Sequence, residues 1–334
     1  MPFLPKTPKF WHSDATITSA LLKPASMLYQ RLSRKRATRA MKYPQLVYQS
    51  KIPVICVGNA TIGGSGKTPY VLHLADEYSK AGNKVAVICR GYGGTLSRDN
   101  FATPVIHTSH NAKDVGDEAM LISQYFPTFI AKQRERAVEL IEFSKQYDII
   151  ILDDGWQYPY LQKSKIFNVI DGNYGFGNHK IFPQGPLRIT IATAIKQADQ
   201  HIIIGRVENE KLAKLLRNIP QDKVMHYDKH ITIADINGKT PAKTTPLMAF
   251  AAIAHPNKFY DSLRNCGYNL VNNRNFADHY HYNDFTIAKL LVEAEKIGAK
   301  LITTEKDYVK IPAKFKPEIM LCKLQLVKRV ITHS

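Results

Sequence analysis

The chain is short of cysteine, of acid and of long apolar runs, and each shortage excludes something. Its four cysteines, Cys56, Cys89, Cys266 and Cys322, are scattered, with no CxxC pair. That argues against a disulfide scaffold or a closely spaced zinc site and suits a reducing compartment. No stretch offers the roughly 18 consecutive apolar residues of a membrane-crossing helix. The opening MPFLPKTPKFWHSD lacks the apolar run and small-residue cleavage site of a signal peptide, so a protein of the cytoplasmic side is expected. Acids number 28 against 46 Lys and Arg, a formal net charge of +18. Such an excess implies an anionic partner: nucleic acid, phospholipid head groups or a phosphorylated substrate. The remaining composition, 44% hydrophobic and 22% charged over 334 residues, is that of a folded soluble protein, long enough for two domains or one large α/β unit.

The positive charge gathers at the start. Residues 1–51 carry ten Lys or Arg against one acid, Asp14. Ser13 or Asp14 is placed to cap a helix through ATITSALLKPASMLYQRLSRKRATRAM. There Ile17, Leu21, Leu28 and Leu32 recur at helical spacing, and Leu22 and Met27 widen the stripe. Pro24 is expected to kink this helix or break it in two. Phe3, Phe10 and Trp11 ahead of it would suit a lipid interface. Two readings stand: a basic amphipathic segment on a membrane surface, or a first helix packed on the domain with its lysines solvated.

Further on, strand and helix patterns alternate. KIPVICVG, NKVAVICRG, PTFIAK, YDIIILDDG, FNVID and HIIIGR read as strands, with TPYVLHLADEYSKAG, DEAMLISQYF and RERAVELIEFSKQ as helices among them. Near-continuous apolar strands predict a parallel sheet covered by helices on both faces. Asn237-Gly238 in HYDKHITIADINGKT predicts a short hairpin. A second α/β run follows, with strands PLMAFAAIA, AKLITT and EIMLCKLQLV and helices PNKFYDSLRNCG and TIAKLLVEAEKIG. The expected organisation is a basic amphipathic segment (1–42), a P-loop core (43–225), a hairpin linker (226–240) and a smaller C-terminal α/β lobe (241–334).

The chemistry concentrates in a few motifs. Thr61, Ile62, Gly63, Gly64, Ser65, Gly66, Lys67 and Thr68 spell a phosphate loop with threonine where the first glycine usually stands. The loop leaves a buried strand and opens a helix, so backbone N–H groups and the helix dipole can face phosphate oxygens. Lys67 is placed to reach the β- and γ-phosphates, and Thr68 to ligate Mg²⁺. A glycine-rich strand–helix turn is the plainer alternative. Asp153 and Asp154 end an apolar strand, where P-loop NTPases place an acid near Mg²⁺. Such an adjacent pair is costly unless a metal and Lys67 compensate it. Asp117 and Glu118 open a helix in VGDEAM, either as dipole caps or with one carboxylate near the γ-phosphate as base or base-orienter. FADHYHYNDF sets Asp278, His279 and His281 among aromatics: a histidine beside an acid can accept a hydroxyl proton, and a structural turn competes. The long loop GNYGFGNHKIFPQGPLR ends in Arg188, a candidate phosphate contact.

The pieces VGNATIGGSGKTP, RGYGG, VGDE, DDGWQ, the run 171–178 with the following PQGPLR, AIAHPNKF, FADHYHY and TTEKDYVK occur in one order over about residues 54–311. In that order they resemble the tetraacyldisaccharide 4′-kinases, the lipid A 4′-kinases of Gram-negative bacteria. The resemblance implies transfer of the γ-phosphate of ATP to the 4′-hydroxyl of a tetraacylated glucosamine disaccharide 1-phosphate, giving lipid IVA. It also implies Mg²⁺ and peripheral binding to the cytoplasmic face of the inner membrane through the N-terminal helix. Residue by residue, Lys67 and Thr68 match the phosphate loop, Asp117 the catalytic acid and His279 its partner in a dyad. Glu118, Asp153 and Asp154 match acids around Mg²⁺ and ATP, and Arg188 the arginine of PxGPLR. The chain departs from the family pattern with Cys89 for a serine, Tyr158 for the histidine of D-D-G-x-Q-H, and D-H-Y for D-H-H. The rivals are a membrane-associated P-loop NTPase acting as a switch and a non-catalytic membrane-surface protein. A guanine-reading N-K-x-D motif is missing, as is any nucleic-acid motif, so neither nucleic acid nor an obligate protein partner is expected.

Overall fold

The computed structural model describes residues 8–12, 16–98 and 100–329. The first half of the sheet uses β1 (Val54–Gly58), β2 (Val85–Cys89), β3 (Thr103–Pro104), β4 (Thr128–Ile130), β5 (Ile149–Asp153), β6 (Lys165–Asp171) and β7 (Gln200–Ile204). The second half uses β8 (Val224–Ala234), β9 (Leu247–Ala251), β10 (Leu270–Asn275), β11 (Lys300–Thr304) and β12 (Ile319–Lys328). The helices are α1 (Ile17–Leu21), α2 (Lys23–Lys42), α3 (Lys67–Lys80), α4 (Ala112–Val115), α5 (Asp117–Ile122), α6 (Arg134–Ser144), α7 (Ile191–Gln197), α8 (Glu210–Leu216), α9 (Pro256–Asn265), α10 (Asp284–Lys296) and α11 (Glu305–Tyr308).

All these strands join one sheet in the order β10-β9-β11-β12-β8-β7-β6-β1-β5-β2-β4-β3. The expected α/β sheet forms, parallel except where β8 meets β12 and β3 meets β4, and its central strands β1, β2 and β5 are buried along their whole length. Helices cover both faces. Tyr70, Val71, Leu74 and Ala75 of α3 enter one core cluster, while Ala137, Val138 and Ile141 of α6 enter the other. In the second half α9 and α10 do the same on opposite sides.

The predicted hairpin differs from what forms. A turn does close at Asp235, where Gly238 N donates back to the Asp235 carbonyl. The strand before it, β8, instead pairs antiparallel with β12, about ninety positions away in sequence, from Leu321↔Ala234 to Lys328↔Tyr227. The first residues of β8 also pair parallel with β7, and those of β12 with β11, so this long pair is the seam between the two halves. An Asn-Gly turn fixes a reversal but not which strand the chain returns to.

Pro24 sits in the first turn of α2, and α1 and α2 meet at Leu22, so the N-terminal helix is divided as expected. Its packing is the reverse of an ordinary core helix. Ser19 and Ser26 are buried and donate to the Gln184 and Ile181 carbonyls at 3.1 and 2.7 Å. Ile17, Leu21, Leu28 and Leu32 are 54–82% exposed. Thr16 caps α1; Phe3, Ser13 and Asp14 lie outside the described residues. Trp11 departs from the expectation of a lipid contact. It is 2% exposed, packs edge-on to Phe182 and donates from its indole to the Pro183 carbonyl, because the loop after β6 folds over it.

Candidate active site

β1 ends at Gly58, against Trp156, and the phosphate loop begins at once. Asn59, fully buried, organises it: its amide nitrogen donates to Ser65 Oγ at 2.9 Å and Thr61 Oγ1 at 3.3 Å, and its oxygen accepts from Lys67 Nζ at 3.0 Å. Thr61 bridges antiparallel to Leu187, and Ile62 N donates to the Pro186 carbonyl at 2.7 Å. The position that usually takes glycine is therefore a short β contact with PQGPLR, which a β-branched residue suits. Gly66 must be glycine: its φ is 90°, and a Cβ there would lie 2.7 Å from Ile204 Cδ1. From Gly66, α3 starts with no side-chain cap, leaving first-turn donors to an anion, with Thr68 at its second position. His255, at the start of α9, approaches from the other half: a Cβ on Gly63 would meet its Nε2 at 3.8 Å.

The strand-end carboxylates divide. Asp154, at φ 54°, accepts from Arg188 Nη1 at 2.9 Å through both oxygens and lies 3.8 Å from Lys67 Nζ. Burial pushes its carboxyl up, but Arg188 and Lys67 outweigh it and hold Asp154 well below the usual range. Burial likewise pulls the Lys67 ammonium down, with Asp154 opposing. Arg188, expected to touch phosphate, thus reaches the site as the partner of Asp154. Asp153 makes no ion pair among the described residues: burial and then the Asp154 charge, opposed by Lys67, push it up to about 7. Its Oδ1 is buried without a hydrogen-bond partner among the described residues. An orphaned carboxylate oxygen at the strand end beside Lys67 fits a Mg²⁺ site. Mg²⁺ takes only one or two protein carboxylates and draws its other ligands from water and phosphate, so no larger acidic cluster is required.

The second acidic pair faces the other half of the molecule. Gly116 precedes α5 at φ 89°, and neither Asp117 nor Glu118 serves as a side-chain cap. Asp117, 2% exposed, meets His279 Nδ1 at 2.8 Å and Lys310 Nζ at 3.7 Å through Oδ2. Glu118 pairs with Lys306 at 2.8 Å. Burial raises Asp117, and the His279 hydrogen bond with the Lys310 and Lys306 ammoniums more than offsets it, leaving the carboxyl below its ordinary value. Glu118 is held low in the same way, chiefly by Lys306. His279 stands in a left-handed turn at φ 61°, its N–H bonded to the Ala252 carbonyl, so FADHYHY is a turn that also delivers a histidine.

Several residues here were not singled out from the sequence. Lys310 is fully buried and also grips Asp307 at 2.7 Å. Asp307 accepts from Ala252 N at 3.1 Å and Tyr282 at 3.2 Å. On the opposite flank Asp171 pairs with Lys258 at 2.8 Å and Lys229 at 3.5 Å, tying AIAHPNKF to the end of β6. The TTEKDYVK and AIAHPNKF motifs were visible, but not which acids their lysines meet.

The chain is similar to known proteins of one family. A family model described as tetraacyldisaccharide-1-P 4′-kinase matches residues 18–331. A tetraacyldisaccharide 4′-kinase of Jannaschia sp. is 34% identical over 328 residues, covering 96% of this chain and 94% of the relative. The Paramagnetospirillum magneticum enzyme of that name is 35% identical over 324 residues, with 96% and 94% covered. A Bradyrhizobium sp. relative is 35% identical, covering 92% and 88%. Among solved structures, LpxK from Aquifex aeolicus in complex with ATP superposes with a TM-score of 0.72 over 94% of this chain and 96% of its own, at 21% identity, which shows a shared fold.

Proposed function

The chain belongs to the tetraacyldisaccharide-1-P 4′-kinase family, and from that premise we propose how its own residues carry the reaction. It transfers the γ-phosphate of ATP to the 4′-hydroxyl of a tetraacylated glucosamine disaccharide 1-phosphate, the lipid A precursor. The observation that carries the assignment of roles is the 2.8 Å contact between Asp117 on α5 and His279 in the second half, which supports a histidine oriented by a carboxylate as proton acceptor.

Phosphoryl transfer needs positioning and charge neutralisation more than covalent chemistry. Residues 61–68 cradle the β- and γ-phosphates, with Lys67 held toward them by Asn59 and Asp154. Thr68 and Asp153 would hold Mg²⁺, and Asp154 and Glu118, committed to Arg188 and Lys306, would complete the charge around it. The ion, when bound, neutralises charge on the transferring phosphoryl group. Arg188 fixes Asp154 at the edge of that group. His279 takes the proton of the acceptor hydroxyl: its Nδ1–H donates to the ionised Asp117, so Nε2 carries the accepting lone pair. Labelled ATP, Mg²⁺ and tetraacyldisaccharide 1-phosphate in detergent micelles test the reaction. Labelled lipid is the expected product, and its absence with folded protein contradicts the reading. ATP hydrolysis without any acceptor product would favour the switch alternative.

We also place the chain peripherally on the cytoplasmic face of the bacterial inner membrane. Among the described residues no helix is long and apolar enough to cross a membrane. Support comes from the outward stripe of Leu21, Leu28 and Leu32 flanked by exposed Arg31, Arg34, Lys35, Arg36 and Arg39. Serine at those three leucines should cut sedimentation with anionic vesicles while leaving the melting temperature unchanged. Undiminished sedimentation would move the membrane contact elsewhere.

A further inference from the structure

His255 stands between β9 and α9, in the second half of the chain, and faces the phosphate loop. A Cβ built on Gly63 would lie 3.8 Å from its Nε2, and one built on Gly64 would lie 3.8 Å from its Cδ2. These are ordinary van der Waals separations, so the Nε2–Cδ2 edge of the imidazole rests against the two glycines. The loop accepts the ring because neither residue carries a side chain, and Gly63, at φ 117°, must be glycine in any case.

Two anchors fix this ring. The first is Asp171, 5% exposed at the end of β6. Its Oδ2 pairs with Lys258, three residues after His255 in the first turn of α9, at 2.8 Å. Its Oδ1 accepts from the backbone N–H of Tyr174 at 3.0 Å, and the Tyr174 ring centre lies 6.1 Å from that of His255. A buried carboxylate costs several kcal/mol unless it is paired, so Asp171 ties the start of α9 firmly to the first half. The second anchor is the exit of β9. Ala252 N donates to Asp307 at 3.1 Å, and the Ala252 carbonyl accepts from His279 N at 3.2 Å. One strand exit therefore holds both imidazoles, His279 toward Asp117 and His255 toward Gly63 and Gly64.

The position of His255 selects one phosphate. The start of α3, with Gly66, Lys67 and Thr68, receives the inner phosphates on its backbone donors. The terminal phosphate must face the base and the acceptor hydroxyl for an in-line transfer, and the base, His279, belongs to the second half. Gly63 and Gly64 form the part of the loop that meets that half. We propose that His255 donates from Nε2–H to the γ-phosphate of ATP, so that the second half of the chain distinguishes a nucleoside triphosphate from a diphosphate. Either the Nε2–H tautomer or the imidazolium can make this bond, and the phosphate charge strengthens it. The contact rests on the kinase reading and extends it to how the nucleotide is recognised. Asp171 and Lys258 act through His255 as positioning residues.

Titration calorimetry of the full chain with ATP or ADP, in Mg²⁺ and without lipid, tests the contact. His255→Ala should weaken ATP about 10- to 100-fold, the range of a hydrogen bond to a charged group, and ADP less than about 3-fold. His255→Gln, which keeps an N–H donor, should recover part of the ATP loss. Lys258→Met frees α9 from Asp171 and keeps the imidazole, so it should show a smaller loss, again selective for ATP. Retained ADP binding shows that each variant is folded, and Lys258→Met carries the test if His255→Ala is not. Equal weakening of ATP and ADP, the mark of a merely structural role, overturns the contact, as does unchanged ATP binding. Binding needs no acceptor, so wild type that binds ATP but yields no labelled lipid contradicts the kinase reading while the ATP–ADP difference still decides on His255. Wild type that binds neither nucleotide overturns both.

Discussion

The molecule contains two pairs of adjacent carboxylates, Asp153–Asp154 and Asp117–Glu118, and they are compensated in opposite ways. In each pair one acid is matched by a cation: Asp154 by Arg188, Glu118 by Lys306. The other acids differ. Asp117 is kept ionised by groups from the second half of the chain, His279 and Lys310. Asp153 has no ion pair among the described residues, is pushed up to about 7 by burial and the Asp154 charge, and keeps one buried oxygen without a hydrogen-bond partner among them. A carboxylate finished by the protein suits orienting a base, because its charge must be present before substrate arrives. One left unfinished suits a ligand that brings its own charge.

Breaking the finished pair should be most damaging. Asp117→Asn or His279→Ala should lower kcat by about 10²–10⁴, the range of general base catalysis. Lys67→Ala on the nucleotide side should cost a comparable or larger factor with folding intact. Near-wild-type rates in any of these contradict the assigned role. Next comes Lys310→Met, which leaves Asp117 and Asp307 buried without their shared ammonium. About 3–5 kcal/mol of stability should be lost, read by denaturant unfolding. A loss below about 1 kcal/mol would mean that water replaces Lys310.

The unfinished pair gives an effect of opposite sign. In the native state Asp153 is pushed up to about 7, against an ordinary carboxylate value of about 3.8 in the unfolded chain. Between those values the native state holds a proton that the unfolded chain has lost, so this residue's contribution to stability falls as pH rises through the window and levels off above it. Asp153→Asn removes that loss. Without Mg²⁺ and ATP, the variant should melt above wild type at pH 8, by up to a few kcal/mol of stability, and close to it at pH 4. A difference that does not depend on pH contradicts the assignment. The smallest effect belongs to Tyr125→Phe, which removes a 2.7 Å bond to Glu305 across the same boundary as Asp117–His279. At a surface position it should cost no more than about 1 kcal/mol, and a larger loss would make this contact a principal tie between the halves.

The same contrast explains what could be read from sequence. The phosphate loop was legible because its chemistry is contiguous: strand, glycines, Lys67 and Thr68 must follow one another. So were the central strands, whose apolar runs reflect burial on both faces. Asp117 and His279 lie 162 positions apart, and their pairing rested on family resemblance rather than on spacing. Lys306 and Lys310 sat in a quoted motif, but a lysine's partner is decided by which elements pack together, here α11 against α5. β10, Leu-Val-Asn-Asn-Arg-Asn, escaped notice because an edge strand needs little apolar surface. For α2 the period predicted a helix but not its docking face, and two serines rather than the leucines turned out to hold it.

A double-mutant cycle tests the central claim, that Asp117 and His279 act as one unit across the two halves, most directly. kcat/KM for the lipid acceptor is measured in wild type, Asp117→Asn, His279→Ala and the double variant, with ATP saturating. The double variant should be scarcely slower than the slower single one. Losses that multiply would show two independent residues and contradict it.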